Sequence, residues 1–389
     1  MTPDRAAGEA AAAEQDAGAQ QAVDPATTAP ATAAVTAGTR QAWQLGSRTF
    51  SALGVAVLIA VVALFPLVFT NPTVTSFGVI TLIFAAVASA WNLFSGFSGY
   101  LSLGHAVFYG TGAYFVAVAA KDWKLTGADV FWLLPLAGAV AALIAVPLGL
   151  VALRVRRHTF VVITIAYFFI AQLSASNLSV TGGSSGLLLP VPNWDSATFN
   201  NPFYYVAMLL AVAAVTLSVL VRRSRFGLQL RAIRDDEDRA AGLGVRAMPV
   251  KLSALVLSAF ITGMAGALWV YFIGQAFATT VFDPLFDLAV VLMAFFGGLG
   301  TVAGPVLGAL ILEPAQQYLT LVQTNGYESE ILFGALFLVV ILFLPRGVLP
   351  TAGEWVTPER IRRLRDRWRT RRAGRTANPQ APPAQGNLS

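Results

Sequence analysis

The sequence predicts an all-α fold, a polytopic bundle of about ten transmembrane helices with both termini cytoplasmic. Three observations carry this expectation. Only 12% of the residues are charged and 56% are hydrophobic, against about 25% and 45–50% in a soluble domain. No Asp, Glu, Lys or Arg occurs from Thr49 to Ala120, and each one at a helix centre would cost roughly 2.5–3.5 kcal/mol on insertion. The apolar runs are also long. Residues 50–69 alone are enough to cross a hydrocarbon core of roughly 30 Å.

Three regions follow in chain order. Residues 1–46 are rich in Ala, Thr, Gln and Pro with scattered acids and no apolar run, the composition of a disordered tail. A basic start followed by an apolar stretch is missing, so this tail is not a signal peptide. Residues 47–345 form the membrane body, and 346–389 a basic cytoplasmic tail. The expected spans are 50–69, 75–94, 101–120, 130–152, 159–176, 203–221, 252–273, 285–297, 301–319 and 331–344. Basic clusters orient them, because Lys and Arg collect on the cytoplasmic side. Arg154, Arg156 and Arg157 mark one inner turn, and residues 222–251 a long inner connection. Lys121 and Lys124 are the exceptions, placed outside beside Asp122 and Asp129.

Composition excludes several chemistries. Cysteine is absent, so there are no disulfides, thiolate nucleophiles or Fe–S clusters. Two histidines far apart argue against a metal site. A pI near 9.8 fits basic inner loops beside anionic lipid, without nucleic acid as a partner. No catalytic residue is expected.

The inner connection has a helical stretch from Gln229 to Gly244. Leu228, Leu230, Ile233, Ala240, Ala241 and Leu243 give it an apolar face, and Asp235, Asp236, Glu237, Asp238 and Arg239 a polar one. Gly242 and Gly244 terminate it. Such a loop helix suits a groove on a partner protein; a solvated linker helix has the same pattern. Ser102, His105, Tyr109 and Gly112 are spaced to share one helix face. They line a translocation route or hydrogen-bond between helices. Asn92, Ser95, Gly96, Ser98 and Gly99 just before them read as an interrupted connection. Thr181, Gly182, Gly183 and Ser184, with Ser185 and Gly186, form a glycine-rich outer loop, either a backbone nest for a carboxylate or a turn. Gly297, Gly298, Gly300, Gly304 and Pro305 read as a sharp turn with close helix packing. No Lys follows the glycines, so this is not a phosphate loop. Glu313, the lone acid of span 301–319, has the pattern of a coupling carboxylate in an ion-driven carrier or of an acid that snorkels or caps near a helix end. With Asp283 and Asp287, which flank the region at the outer edge, it reads as a structural or gate residue.

Four stretches carry a family resemblance. They are Gly99–Ala106 continuing to Gly112-Ala113-Tyr114, Thr181–Leu187, Gly297–Ala309 with Phe343–Gly347 closing the body, and the loop Arg223–Val245. Taken in chain order, with the loop between the second and third stretches, they resemble the permease family of branched-chain amino acid importers, specifically its larger, M-type subunit. Tyr100 stands where Gln is usual in that family, and Ser185 where an acid is usual. The resemblance implies a permease subunit of an ATP-driven importer in a bacterial cytoplasmic membrane, carrying leucine, isoleucine and valine. Urea and short amides are the alternative substrates, and a secondary carrier the alternative mechanism. It implies an H-type permease partner, two ATPase subunits that hold the ATP and Mg, and an extracytoplasmic binding protein. It implies that Arg231, Arg234, Asp235, Asp238, Ala240, Ala241, Gly242 and Gly244 couple to the ATPase. It further implies that Asn92, Ser102, His105, Tyr109 and Thr181 to Ser184 form the path or gate.

Overall fold

The computed structural model describes residue 60, residues 62–195 and 198–322, and five further positions between 331 and 348. The expected tail 1–46, the first half of span 50–69, most of span 331–344 and the basic tail 346–389 lie outside the described residues. The chain separates into two units, Met1–Leu64 and Phe65–Ser389. Of the first, Ala60 and Val62–Leu64 are described, all helical.

Helix α1, Pro72–Trp91, starts where Asn71 accepts from the Thr73 amide at 3.0 Å and Pro72 supplies a preset φ. It runs on into a π-type turn, Asn92–Gly96. After a non-helical segment come α2, His105–Asp122, and α3, Leu134–Ala152, the latter entered through a 3-10 turn at Gly127–Leu133. Next are α4, Arg157–Asn177, and α5, Asn200–Arg223. Two short helices follow, α6 at Arg225–Asp235 and α7 at Glu237–Gly242. Then come α8 at Ala247–Ile273, α9 at Ala278–Val281, α10 at Pro284–Gly297 and α11 at Gly304–Val322. One feature departs from an all-helical chain. Strands β1, Leu187–Leu188, and β2, Gln275–Ala276, pair antiparallel.

Six stretches among the described residues are long and apolar enough to cross a membrane: Pro72–Gly96, Gly127–Ala152, Arg157–Asn177, Asn200–Arg223, Ala247–Ile273 and Ala278–Gly297. Helices α2 and α11 fall short of that mark. Polar residues interrupt them: His105, Tyr109 and Lys121 in one, Glu313, Gln316 and Gln317 in the other.

Small residues bring the helices together. Helix α8 packs on α2 and α3, α1 on α5 and α11, and α10 on α11. A methyl group at Gly112 of α2 would collide with the Gly263 carbonyl of α8, and one at Gly297 with the carbonyl of Gly304. In lipid, tails are as apolar as Leu, so association rests on such close van der Waals contact. Helices α1, α8 and the span ending in α10 are mostly buried, whereas α3, α4 and α5 turn Leu143, Leu173 and Leu209 outward, about two-thirds exposed or more. That outer surface is suited to lipid or to a second subunit.

Contacts define two ends of the bundle. At one, the segment 96–104, the turn 153–157, the connection 222–246 and the turn 298–301 meet. At the other, Tyr271 donates to the Gly127 carbonyl and Gln172 to the Phe282 carbonyl, beside the ribbon β1–β2.

Candidate functional site

The first of these ends is built around α6 and α7. Sequence periodicity reads one helix over Gln229–Gly244, and the structure corrects this to two. Asp236 is extended (φ −159°, ψ 111°) and its carboxylate caps α7 by accepting from the Arg239 amide at 3.0 Å. The side chain therefore competes with continued helix and wins. The apolar face is also narrower than the spacing suggests. Leu230, Ile233 and Ala240 are buried, but Leu228 and Leu243 are 58% and 87% exposed.

Four side chains hold this pair to the bundle. Arg157, at the first turn of α4, donates from Nη2 to the Ile233 and Arg234 carbonyls at 2.8 and 2.7 Å, capping the C-terminus of α6. Arg234 donates to the Gly96 carbonyl at 2.6 Å, and its side chain lies against Gly99 and Gly300. Lys251 in α8 is 3% exposed. It donates to Glu237 Oε1 at 2.6 Å and to the Tyr100 hydroxyl at 3.0 Å, and its Nζ lies 4.2 Å from the Tyr100 ring centroid. Tyr100 in turn donates to Glu237 Oε2 at 2.5 Å. Burial alone would push the Glu237 carboxyl up. Hydrogen bonds from Lys251 and Tyr100, with the charges of Lys251 and Arg157, win and hold it below its ordinary value. Burial, then the bond to Glu237 and its charge, push the Tyr100 phenol up. A cleft of about 510 Å³ opens beside this cluster, with Arg154, Arg156 and His158 on one wall and Asp235, Asp236 and Asp238 on the other.

The remaining residues of the expected coupling set are distributed unevenly. Arg231 folds back onto the Gly227 carbonyl at 3.3 Å. Asp235, Asp238 and Ala241 are exposed, and Ala240 is buried. Gly242 and Gly244 have open space where a Cβ would stand, and Gly244 has φ +88°.

Inside the bundle, Ser102 departs from the expected helix face. Helix α2 begins at His105, and Ser102 belongs to the non-helical segment before it. The two still meet. Ser258 donates to the Ala90 carbonyl at 2.6 Å, so its oxygen accepts from His105 Nε2 at 2.8 Å; His105 Nδ1 is then the acceptor for the Ser102 hydroxyl at 3.0 Å. This chain joins α1, the segment before α2, and α8, and every member is buried. Asp287 is not at an outer rim. It is 3% exposed and accepts from the Ala106 amide at 3.1 Å, at the positive N-terminus of α2. Tyr109 is buried against Phe286, ring centroids 4.3 Å apart.

Asn92 spans two elements. Its Oδ1 accepts from the Gly300 amide at 2.8 Å and its Nδ2 donates to the Thr301 carbonyl at 2.7 Å. The turn it grips has Gly298 and Gly300 at φ +123° and +78°, conformations that L side chains rarely adopt. Gly304 and Pro305, both buried, then start α11.

Thr181 to Ser184 lie at the opposite end, apart from Asn92, Ser102 and His105. Thr181 donates to the Ala175 and Leu178 carbonyls at 2.6 and 2.8 Å, closing the C-terminus of α4. The amides of Gly182, Gly183 and Ser185 are bonded to carbonyls of residues 178–182, so these donors are occupied by the turn itself. Thr181 also borders a mainly apolar cavity of about 570 Å³ between α2, α3 and α4, with Tyr114, Ile144 and Phe282.

Sequence reasoning assigns no role to Lys251 or Ser258, and takes Tyr100 and Arg157 only as a departure from the family pattern and an orienting charge. The one available signal was Lys251, a lone cation just inside an apolar run.

Apolar helices enclosing buried polar chains, with a charged helix pair at one end, are the build of a multi-pass membrane protein. The chain belongs to the family described as branched-chain amino acid transport system, permease component, whose family model matches residues 73–341. It is 30% identical over 330 residues to the high-affinity branched-chain amino acid transport system permease protein LivM of Escherichia coli K12, covering 76% of this chain and 74% of that one. The LivH permease of Salmonella typhimurium is 27% identical over 68% of this chain and 91% of its own. The L-arabinose ABC transporter permease AraH of Azospirillum brasilense is 23% identical over 42% of this chain and 45% of its own. No solved structure matches.

Proposed function

We propose that this chain is the M-type permease subunit of an ATP-driven importer that carries leucine, isoleucine and valine across a bacterial cytoplasmic membrane. The observation that carries the reading is the match to LivM over three-quarters of both chains. Matches to both LivM and LivH support a heterodimer with an H-type subunit.

The end bearing α6 and α7 is cytoplasmic. Apart from Lys121 and Lys124, every Lys and Arg among the described residues lies there, and such asymmetry sets orientation. With ten spans, both termini are on that side. Helices α6 and α7 dock on an ATPase subunit through Asp235, Asp238, Ala241 and Gly242, all on the surface or facing open space. ATP and Mg are held by the two ATPase subunits, since the glycines at 297–308 lack the lysine of a phosphate loop. An extracytoplasmic binding protein delivers substrate at the opposite end. Asn92, Ser102, His105 and Tyr109 set the gate, Asn92 by tying α1 to the turn between α10 and α11 and the others by fixing how α1, α2, α8 and α10 meet, and Thr181 to Ser184 border the outer approach.

The test is uptake by the complete complex in proteoliposomes. ATP-dependent accumulation of labelled leucine, competed by isoleucine and valine and not by urea, is expected. Accumulation without ATP, driven by an ion gradient, would overturn the reading.

A further inference from the structure

We propose that Tyr100, Glu237 and Lys251 are positioning residues, a relay that carries movement of α6 and α7 into the interrupted segment between α1 and α2. The inference rests on the reading of α6 and α7 as the ATPase-coupling element. Each member of the cluster stands on a different piece of the chain. Tyr100 is in the non-helical segment, Glu237 opens α7, and Lys251 is in α8. The three are joined by hydrogen bonds of 2.5, 2.6 and 3.0 Å.

Stability alone does not account for this choice. Burying an ammonium and pairing it with a carboxylate is often no better than well-packed apolar residues of similar volume, while removal of one partner is strongly unfavourable. What the charged cluster provides is an obligatory connection, because Lys251, 3% exposed, cannot be left behind if Glu237 moves. A second tie runs in parallel, from Arg234 to the Gly96 carbonyl at 2.6 Å. The two ties grip the interrupted segment at Gly96 and at Tyr100.

That segment leads directly to the buried chain. Ser102, two residues past Tyr100, bonds His105 at 3.0 Å, and its carbonyl accepts from Trp91 at 2.8 Å. A displacement of α7 is therefore passed to the start of α2 without crossing lipid-facing surface. The adjoining cleft of about 510 Å³ leaves α7 room to move, since Tyr100, Glu237 and Lys251 all border it.

The test uses the complete importer with its partner subunits in proteoliposomes, comparing Tyr100→Phe, Glu237→Gln, Lys251→Met and Lys251→Arg with wild type. Leucine uptake and ATP hydrolysis are measured together. Expected is ATP hydrolysis near the wild-type rate, with leucine carried per ATP down about tenfold in Tyr100→Phe and Lys251→Met, the worth of a charge-assisted hydrogen bond. Lys251→Arg should recover part of that loss, which a purely structural role would not link to the transport ratio. Should Lys251→Met fail to assemble, Tyr100→Phe, which loses one oxygen atom, decides. Wild-type leucine per ATP in Tyr100→Phe overturns the relay. A wild-type complex that transports no branched-chain amino acid overturns the proposed function, and the relay with it.

Discussion

The guanidinium of Arg234 donates to the carbonyl of Gly96 at 2.6 Å, joining residues 138 positions apart. Gly96 closes the π-type turn after α1, where a backbone carbonyl is freed from the regular ladder. The bond ties the last turn of a short surface helix to the one interruption between two buried helices. Several consequences can be measured.

Replacing Gly242 with Trp should leave the fold intact, because among the described residues nothing beyond its own helix and chain neighbours lies within 4 Å of an added Cβ. The indole would instead stand on the surface proposed to meet the ATPase. Loss of ATPase co-purification and of uptake, with normal membrane insertion, is expected. Normal uptake would remove α7 from the docking surface.

The same glycine-to-alanine change should have opposite effects at two positions. At Gly112 the methyl meets the Gly263 backbone, and overpacking costs about 1–3 kcal/mol. At Gly242 it meets nothing and favours the helix by roughly 0.5–1 kcal/mol. Thermal unfolding in detergent should place Gly112→Ala below wild type and Gly242→Ala at or above it. Equal shifts would contradict the packing of α2 on α8.

Asn92→Leu removes both bonds to the 298–301 turn and leaves the part-buried Gly300 amide and Thr301 carbonyl without Asn92 as partner. A fully buried group left so costs about 1–3 kcal/mol, and these part-buried ones cost less. A lowered unfolding temperature is expected, with faster proteolysis between α10 and α11. An unchanged variant would show that the turn holds itself.

Acid should release α7 through Glu237. Its folded carboxyl ionises below the ordinary value of 4.5, so its contribution is complete above that pH and is lost as pH falls through the lowered value. The groups facing it are Lys251, Tyr100 and Arg157. A spin label at Ala241 should keep its mobility between about pH 7 and pH 5 and gain mobility only at lower pH. In Glu237→Gln it should be mobile throughout. A transition near neutral pH would require a different group.

The proposed orientation is open to labelling, since the chain has no cysteine of its own. Ser185→Cys should react with an impermeant reagent from outside and Ala241→Cys should not; both side chains are exposed. The reverse pattern would invert the topology. Ser224 is a poorer probe, because its hydroxyl caps α6 by accepting from the Gly227 amide at 3.2 Å.

What the sequence by itself determined was the class of the molecule and the position of its helices. Charge depletion and apolar runs are local properties, and lipid leaves helices as the solution for a chain of this kind. Every expected span from 75–94 to 301–319 coincides with a helix, with the starts displaced by a few residues. The motifs at Gly99, Thr181 and Gly297 marked turns because glycine is a local signal. Asp236 was harder to read. Whether its carboxylate continues a polar face or caps a new helix depends on competition between two hydrogen bonds of similar strength.

The tertiary structure alone decided which of these residues meet. Hydrogen bonds between Arg234 and Gly96, Asn92 and Gly300, and Tyr100, Glu237 and Lys251 cross from 14 to 208 positions of chain. No spacing rule reaches that far. It also separated Thr181 to Ser184, at one end of the bundle, from His105 in its interior, and buried Asp287 where spacing put it at a rim. Helical periodicity tells which side chains share a face, but a face can turn toward lipid, a neighbouring helix or another subunit. The choice follows from how closely Gly112, Gly263 and Gly297 let the helices approach, a property of pairs of helices that neither helix carries alone.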